Sequence, residues 1–172
     1  MKIHYQYERD AKLPPVVLAI GFFDGFHRGH QAIVSELRTL RKPGYRTAIL
    51  TFANHPATFL RPGSEPPLLT TPEERIDLLA QAGVEECFFV PFDERMASMS
   101  PQAFVNEVLV QKLAARAVVV GANFRFGKGR AGDITFAREA LTAHAIPIMA
   151  IENAVEGGER ISSTRIRALI LE

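Results

Sequence analysis

The sequence predicts an α/β protein, a parallel sheet with helices on both faces. Short apolar runs rich in β-branched residues alternate with stretches of helical spacing. Those runs are short and wholly apolar, as strands covered on both faces are. A glycine-rich turn follows the first of them, where such sheets hold ligands. With 172 residues, 47% of them hydrophobic, the chain can bury a real core and suits one domain, 1–172.

The elements follow in order. "VVLAI" (16–20) reads as a buried strand and "QAIVSELRTLRK" (31–42) as a helix with Ile33, Leu37 and Leu40 near one face. Pro43-Gly44 stops that helix, and "YRTAILTF" (45–52) is the next strand. A loop rich in proline and glycine is expected from Ala53 to Leu69. Thr71-Pro72-Glu73-Glu74 starts a helix with a capping hydroxyl, proline in the first turn and acidic residues facing the dipole. "ECFFV" (86–90) is a strand, and Ser100-Pro101 opens a second capped helix through about Ala115. "AVVVG" (117–121) is a fourth strand, and the stretch 122–132 is glycine-rich and basic. A helix from about Asp133 to His144 leads to a strand, "IPIMAI" (146–151). Gly157-Gly158 marks a tight turn, and "SSTRIRALILE" closes as a helix.

Composition narrows the function classes. Twenty basic residues face nineteen acidic ones, so no global charge draws nucleic acid or an acidic membrane surface. Any anionic ligand must be held by local features. Cys87 is the single cysteine and reads as a core residue in a reducing compartment. No apolar run reaches membrane-spanning length, and "MKIHYQYERD" lacks the apolar core of a signal peptide. The expected setting is cytoplasmic. Oligomeric state is not legible in the sequence.

Chemistry concentrates first in "GFFDGFHRGH" (21–30). Gly21, Gly25 and Gly29 remove side chains where the backbone turns or a ligand comes close. His27 and His30, three apart in the first helical turn, project to one side. Their ring N–H groups, free backbone N–H groups and the helix dipole together suit a phosphate. A zinc site of Asp24, His27 and His30 is the weaker reading, because no cysteine or second histidine pair supports it. Isolated histidines usually lie on the surface, but three glycines at a strand-to-helix junction argue against that here. The stretch has neither the lysine of a P-loop nor the GxGxxG of dinucleotide folds.

"GERISSTRIRALI" (158–170) offers a second anion site. Ser162, Ser163 and Thr164 lie where the last helix begins, with Arg165 and Arg167 in its first turn. Alone, this stretch is an ordinary serine cap with solvated arginines; paired with the first, it forms two phosphate clamps on one sheet edge. Between them lie "TFANHP" (51–56) and "VVVGANFRFGKGRAGD" (118–133). The latter combines Asn123, Arg125, Lys128 and Arg130 with Phe124 and Phe126, fit for a phosphate and a flat heterocycle. Interleaved aromatic and basic residues also suit nucleic acid, but the patch is short and the chain near-neutral.

These four stretches together resemble the FMN adenylyltransferase (FAD synthetase) module of bacterial bifunctional riboflavin kinase/FAD synthetases, within the nucleotidyltransferase superfamily. The HxGH motif is His27-Arg28-Gly29-His30, and ISSTxIR spans Ile161 to Arg167. "FRFGKGRAGD" is the more specific match, and the likeness runs from about Val16 to Leu171. The resemblance implies a Rossmann-like fold and the reaction FMN + ATP giving FAD + pyrophosphate, with magnesium accompanying ATP. It implies that His27 and His30 contact the ATP phosphates and that Asn123 positions the FMN phosphate. It implies an ATP site of Gly21, Phe23, Asp24, Gly29, Ser163, Thr164 and Arg167. Asn54, His55, Phe124, Arg125 and Phe126 would face FMN, and no resident metal ligands are implied. The family commonly reads TFxPHP, and Asn54 replaces the proline. A riboflavin kinase module is expected to be missing from these residues, whether they are a monofunctional enzyme or a piece of a longer chain. The alternatives are another phosphorylated acceptor, or a flavin- or nucleotide-binding module without turnover.

Overall fold

The computed structural model describes residues 1–10 and 12–171. Its sheet holds six parallel strands: β1 Lys2–His4, β2 Val16–Ile20, β3 Arg46–Phe52, β4 Glu86–Val90, β5 Ala115–Gly121 and β6 Ile148–Ile151, in the order β1-β4-β3-β2-β5-β6. All five residues of β2 are buried because the strand is central and covered on both faces. Alternation then divides the core in two. Val16, Leu18 and Ile20 face one layer, with Leu50, Val105 and Leu141. Val17 and Ala19 face the other, with Ile33, Leu37 and Leu79. This is the parallel α/β sheet with helices on both faces that the sequence predicts.

Helix α1 spans Arg28–Leu40, beginning three residues before the predicted start. Its first turn, Arg28-Gly29-His30, carries no apolar periodicity, so that turn is invisible to spacing. The expected loop 53–69 contains a short helix, α2 Pro56–Leu60, with Pro56 in its first turn and the His55 ring accepting from the Ala57 N–H. Helix α3, Pro72–Gln81, has the anticipated cap: Thr71 N–H donates to Glu74 at 2.8 Å, and Glu74 N–H donates to the Thr71 hydroxyl at 3.2 Å. A further short helix, α4 Glu94–Ser98, was not foreseen; Asp93 caps it.

The helix opened by Ser100 begins as α5 Pro101–Ala103 and continues as a π-helical stretch, Phe104–Lys112. It stops short of the predicted Ala115, because Ala114 takes φ +51° and turns the chain into β5. Helix α6 spans Ile134–Thr142 behind an Asp133 cap. The hairpin β7 Val155–Glu156 and β8 Glu159–Arg160 closes on Gly157-Gly158, both at positive φ, as a two-residue turn of this kind requires. Helix α7, Ser163–Leu171, follows. Among the described residues no helix is long and apolar enough to cross a membrane.

Strand β1 was also unforeseen. It pairs with β4 at the sheet edge, where the fully buried Glu86 accepts from His4 and Arg9. The chain leaves β2 toward β3 and β4 on one side, then returns to lay β5 and β6 on the other. The crevice beyond the carboxyl ends of β2 and β5 is therefore the switch point.

Candidate active site

His27 and His30 meet at that crevice. Their rings stack 3.7 Å apart at 16°, so the expectation that they project to one side holds. Gly29 makes this possible, since a Cβ there would stand 3.2 Å from the His27 ring. Neither Nδ1 has a hydrogen-bond partner, although both are buried. Burial pushes His30 down to about 3, with His27 adding to the effect against the Asp24 carboxylate. Burial likewise holds His27 below its ordinary value. Both rings are thus neutral near pH 7 and open to an anion that would favour their charged forms.

Opposite them stands the start of α7. The Ser162 hydroxyl accepts from the Arg165 N–H at 3.2 Å, and the Ser163 hydroxyl donates to the Asp24 carbonyl at 2.9 Å. The two stretches are thereby tied directly together. Asp24 is buried and receives N–H groups from Leu69 and Thr70, the Thr70 hydroxyl and the Arg167 guanidinium. Burial alone would raise its carboxyl; these donors overcome that and hold it below the usual carboxylate range. Arg167 also donates to the Pro67 carbonyl at 2.6 Å, so its hydrogen bonding is turned inward although it borders the cleft.

A cleft of about 300 Å³ lies between these walls, lined by His27, Gly29, His30, Ser163, Thr164 and Arg167 among others. Three residues expected there do not line it: Asp24 is buried beneath the wall, bound to Arg167. Phe23 is wholly buried behind His30, with ring centres 5.1 Å apart, and Gly21 borders a second cavity instead. That second cavity, about 590 Å³, is lined by Phe52, Phe92, Phe104, Phe124 and Phe126, with Arg61, Arg125 and Arg130 at its polar side. Phe124 and Phe126 stack at 5.1 Å. Phe126 is mostly core, and its backbone bridges Gly132 to hold the basic loop closed. Arg125 pairs with Asp133 at 3.1 Å.

Phe22 and His55 border both cavities, and their rings meet edge-to-face at 4.7 Å. Asn54 borders neither. Its amide donates to the Phe92 carbonyl at 3.0 Å and accepts the Phe92 N–H at 2.8 Å, clamping the ends of β3 and β4. Asn123 borders the larger cavity and neighbours the cleft, and the donors around it turn its amide oxygen to Arg160, 2.8 and 2.9 Å from the two Nη atoms.

Arg160 escaped the sequence reading. It lines the cleft and opposes charge on His27, yet in sequence it is one arginine of a hairpin. Glu152 and Asn153 were likewise missed, being ordinary loop residues without a motif, and Phe22, though inside "GFFDGFHRGH", was not singled out there.

A parallel sheet with a histidine pair and a hydroxyl-bearing helix start facing each other across its switch point defines an α/β protein whose cleft suits an anionic ligand. The comparisons go further: residues 9–165 match FAD synthetase, and the chain belongs to that family. It is 36% identical over 157 residues to the bifunctional riboflavin kinase/FMN adenylyltransferase of Escherichia coli (strain K12), covering 91% of this chain and 50% of that protein. The Bacillus subtilis (strain 168) protein of the same name is 33% identical over 156 residues, covering 90% of this chain and 49% of the relative. The chain thus spans about half the length of these relatives. A Geobacillus thermodenitrificans (strain NG80-2) relative is 37% identical over 172 residues, covering 99% of this chain and 90% of its own length. A crystal structure described as a macrolide-efflux protein from Streptococcus pneumoniae superposes with a TM-score of 0.80 at 26% identity, covering 99% of this chain and 57% of that one.

Proposed function

We propose that residues 1–172 act as one FMN adenylyltransferase unit, joining FMN to the AMP portion of ATP to give FAD and pyrophosphate. The observation that carries this is the shared wall. A polar cleft flanked by His27, His30 and the start of α7 adjoins an aromatic cavity with an arginine side, and among the described residues only Phe22 and His55 border both. Two substrates can therefore lie end to end, one a polyphosphate and the other a flat ring system bearing a phosphate.

In this reading an FMN phosphate oxygen bonds to the α-phosphorus of ATP, and the bond to the bridging oxygen breaks. Pyrophosphate leaves with the bonding pair. No covalent enzyme intermediate is needed, because alignment and charge neutralisation supply the catalysis. His27 and His30 are the groups aimed at the phosphates; a neighbouring anion raises their proton affinity, so charge builds on the rings as it builds on the leaving group. Thr164 and the free N–H groups of α7 meet the same phosphates from the far side. Ser163, Asp24 and Arg167 hold the two clamps together, and Gly29 gives the His27 ring its room. Asn123 orients Arg160 toward the reacting phosphates. Phe124 offers a face for the flavin ring, Phe126 backs it, and Arg125 and Arg130 supply positive charge. Asn54 fixes the loop that carries His55.

Magnesium enters as part of the MgATP substrate. Its ligands in this reading are the phosphate oxygens of ATP. The reading carries a cytoplasmic setting, since it needs a standing supply of ATP.

The test is direct. Purified chain incubated with FMN, ATP and magnesium should form FAD and pyrophosphate, resolved by chromatography, and excess pyrophosphate should regenerate FMN and ATP from FAD. Product from another phosphorylated acceptor, with none from FMN, would overturn the acceptor; tight binding of both substrates without product would make the chain a binding module.

A further inference from the structure

Arg75 is the largest fully buried side chain among the described residues, 1% exposed on helix α3. No carboxylate pairs with it among those residues. The Asp24 carboxylate favours its charge from beyond pairing distance, yet a buried arginine without a paired carboxylate is costly unless its N–H groups are satisfied. Here Nη1 donates to the Phe22 carbonyl at 2.9 Å and Nη2 to the Ala53 carbonyl at 3.4 Å, while Nε has no partner. The guanidinium carbon lies over two aromatic rings, 4.3 Å from the centre of Phe22 and 5.0 Å from that of Phe89.

Both carbonyls lie on backbone that leads into the site. Phe22 follows β2, and Ala53 follows β3 and leads through Asn54 to His55. The Phe22 carbonyl also accepts from the buried Thr51 hydroxyl at 3.0 Å, so both of its lone pairs are engaged. Phe22 and His55 form the shared wall of the two cavities, and Arg75 grips the backbone leading to each. A charge buried at such cost, fixed to two strand ends and stacked on one wall residue, does more than fill the core.

We infer that Arg75 is a positioning residue that sets the Phe22–His55 wall and thereby aligns the two substrates across it. The inference rests on the adenylyl-transfer reading for its consequence, but its structural half stands apart from turnover.

The experiment uses Arg75→Met, which keeps an unbranched apolar stem and removes the charge and donors, and Arg75→Lys, which keeps the charge on a single donor nitrogen. The His55 ring resonances of the ligand-free protein report its edge-to-face contact with Phe22. In Arg75→Met they should shift, while those of His27 and His30 stay close to their original positions. Dissociation constants for MgATP and for FMN, each measured alone, should stay near the unsubstituted values, whereas kcat should fall by about a hundredfold, as for a misaligned reacting pair. Arg75→Lys should return both the His55 resonances and kcat part of the way. Unmoved His55 resonances with unchanged kcat, or a kcat loss that only tracks the folded fraction, would overturn the inference. If Arg75→Met does not fold, Thr51→Val removes the other donor to the same carbonyl and should shift His55 the same way; no shift there would also overturn it. A chain that makes no FAD at all would sink the adenylyl-transfer reading, while the His55 resonances would still decide whether Arg75 holds the wall.

Discussion

Asp24 and Arg167, 143 residues apart in the chain, meet in an ion pair buried beneath the candidate active site. One residue sits in the loop after β2 and the other in the first turns of α7, so this contact joins the two stretches proposed to clamp phosphates. Its surroundings complete it: Leu69, Thr70 and Pro67 satisfy the remaining carboxylate and guanidinium groups.

Removing one partner should therefore cost more than an ordinary surface pair. Asp24→Asn leaves Arg167 without its counter-charge and should destabilise the fold by about 3–5 kcal/mol, the range for a broken buried pair. Denaturant unfolding measures this directly. Because the folded carboxyl is held below its ordinary value, the stability it contributes is present above the usual carboxylate range and is lost as pH falls below it. An Asp24→Asn variant should lack that acid-side loss; equal acid sensitivity in both proteins would contradict the assignment.

His30 sets a second, separate pH window. Its folded pKa of about 3 lies below the ordinary 6.5, so the unfolded chain binds the proton more readily. Stability from this group is full above the ordinary value and is lost as pH falls toward the folded one. Between pH 7 and 5, where carboxylates remain ionised, the free protein should weaken by up to about 1.4 kcal/mol per pH unit from this source. His30→Asn should flatten that slope, and saturating MgATP should flatten it too by favouring the protonated ring. A slope untouched by either would show that His30 is not held neutral in the fold.

Turnover should depend on the same side chain. If His30 stabilises charge developing on the phosphates, His30→Ala should lower kcat by about two to three orders of magnitude, as for loss of an oxyanion-hole donor. Steady-state FAD formation measures it, with unfolding curves run in parallel to separate folding from catalysis. Full turnover in a folded variant would return His30 to a packing role beside Phe23.

What the sequence conveyed depended on how local each signal was. "ECFFV" is readable because every residue of β4 is buried, and α3 because its cap is written within four consecutive residues. β1 escaped because its three residues, Lys2-Ile3-His4, are held by pairing with β4, more than eighty positions away. The histidine pair was legible because its spacing and its glycine are local. Arg160 and Arg75 were not, since each matters through neighbours the chain supplies from elsewhere: Asn123 and His27 for one, Phe22 and Phe89 for the other. Asn54, expected to face FMN, instead has both ends of its amide bound to Phe92, a pairing no motif records.

That pairing yields its own prediction. Asn54→Ala leaves the backbone N–H and carbonyl of Phe92 without their partners, which should cost about 1–3 kcal/mol. Since Asn54 precedes His55 and Phe92 lines the aromatic cavity, the looser clamp should raise KM for FMN more than KM for ATP. Separate titrations of the two substrates check this. An equal rise in both constants would mean that the clamp serves the fold as a whole and not the flavin side.

The last prediction concerns what the acceptor must bring. FAD contains two phosphorus atoms in its bridge, and AMP transfer from ATP supplies only one. In the proposed reaction the flavin must therefore arrive already phosphorylated, and Arg61, Arg125 and Arg130 on the aromatic cavity's polar side are the groups proposed to meet that phosphate. Riboflavin shares the ring system with FMN but has no phosphate to offer those arginines or the α-phosphorus. It should bind more weakly than FMN, and the difference should shrink as salt screens the arginines. Incubated with MgATP, the 172-residue chain should yield no FAD from riboflavin, and a separately added riboflavin kinase should restore it. Chromatography of the flavins, with kinase-free protein, decides the matter. FMN or FAD arising from riboflavin in that preparation would mean that this cleft also transfers the terminal phosphate of ATP, and the division of labour argued from its two cavities would fail.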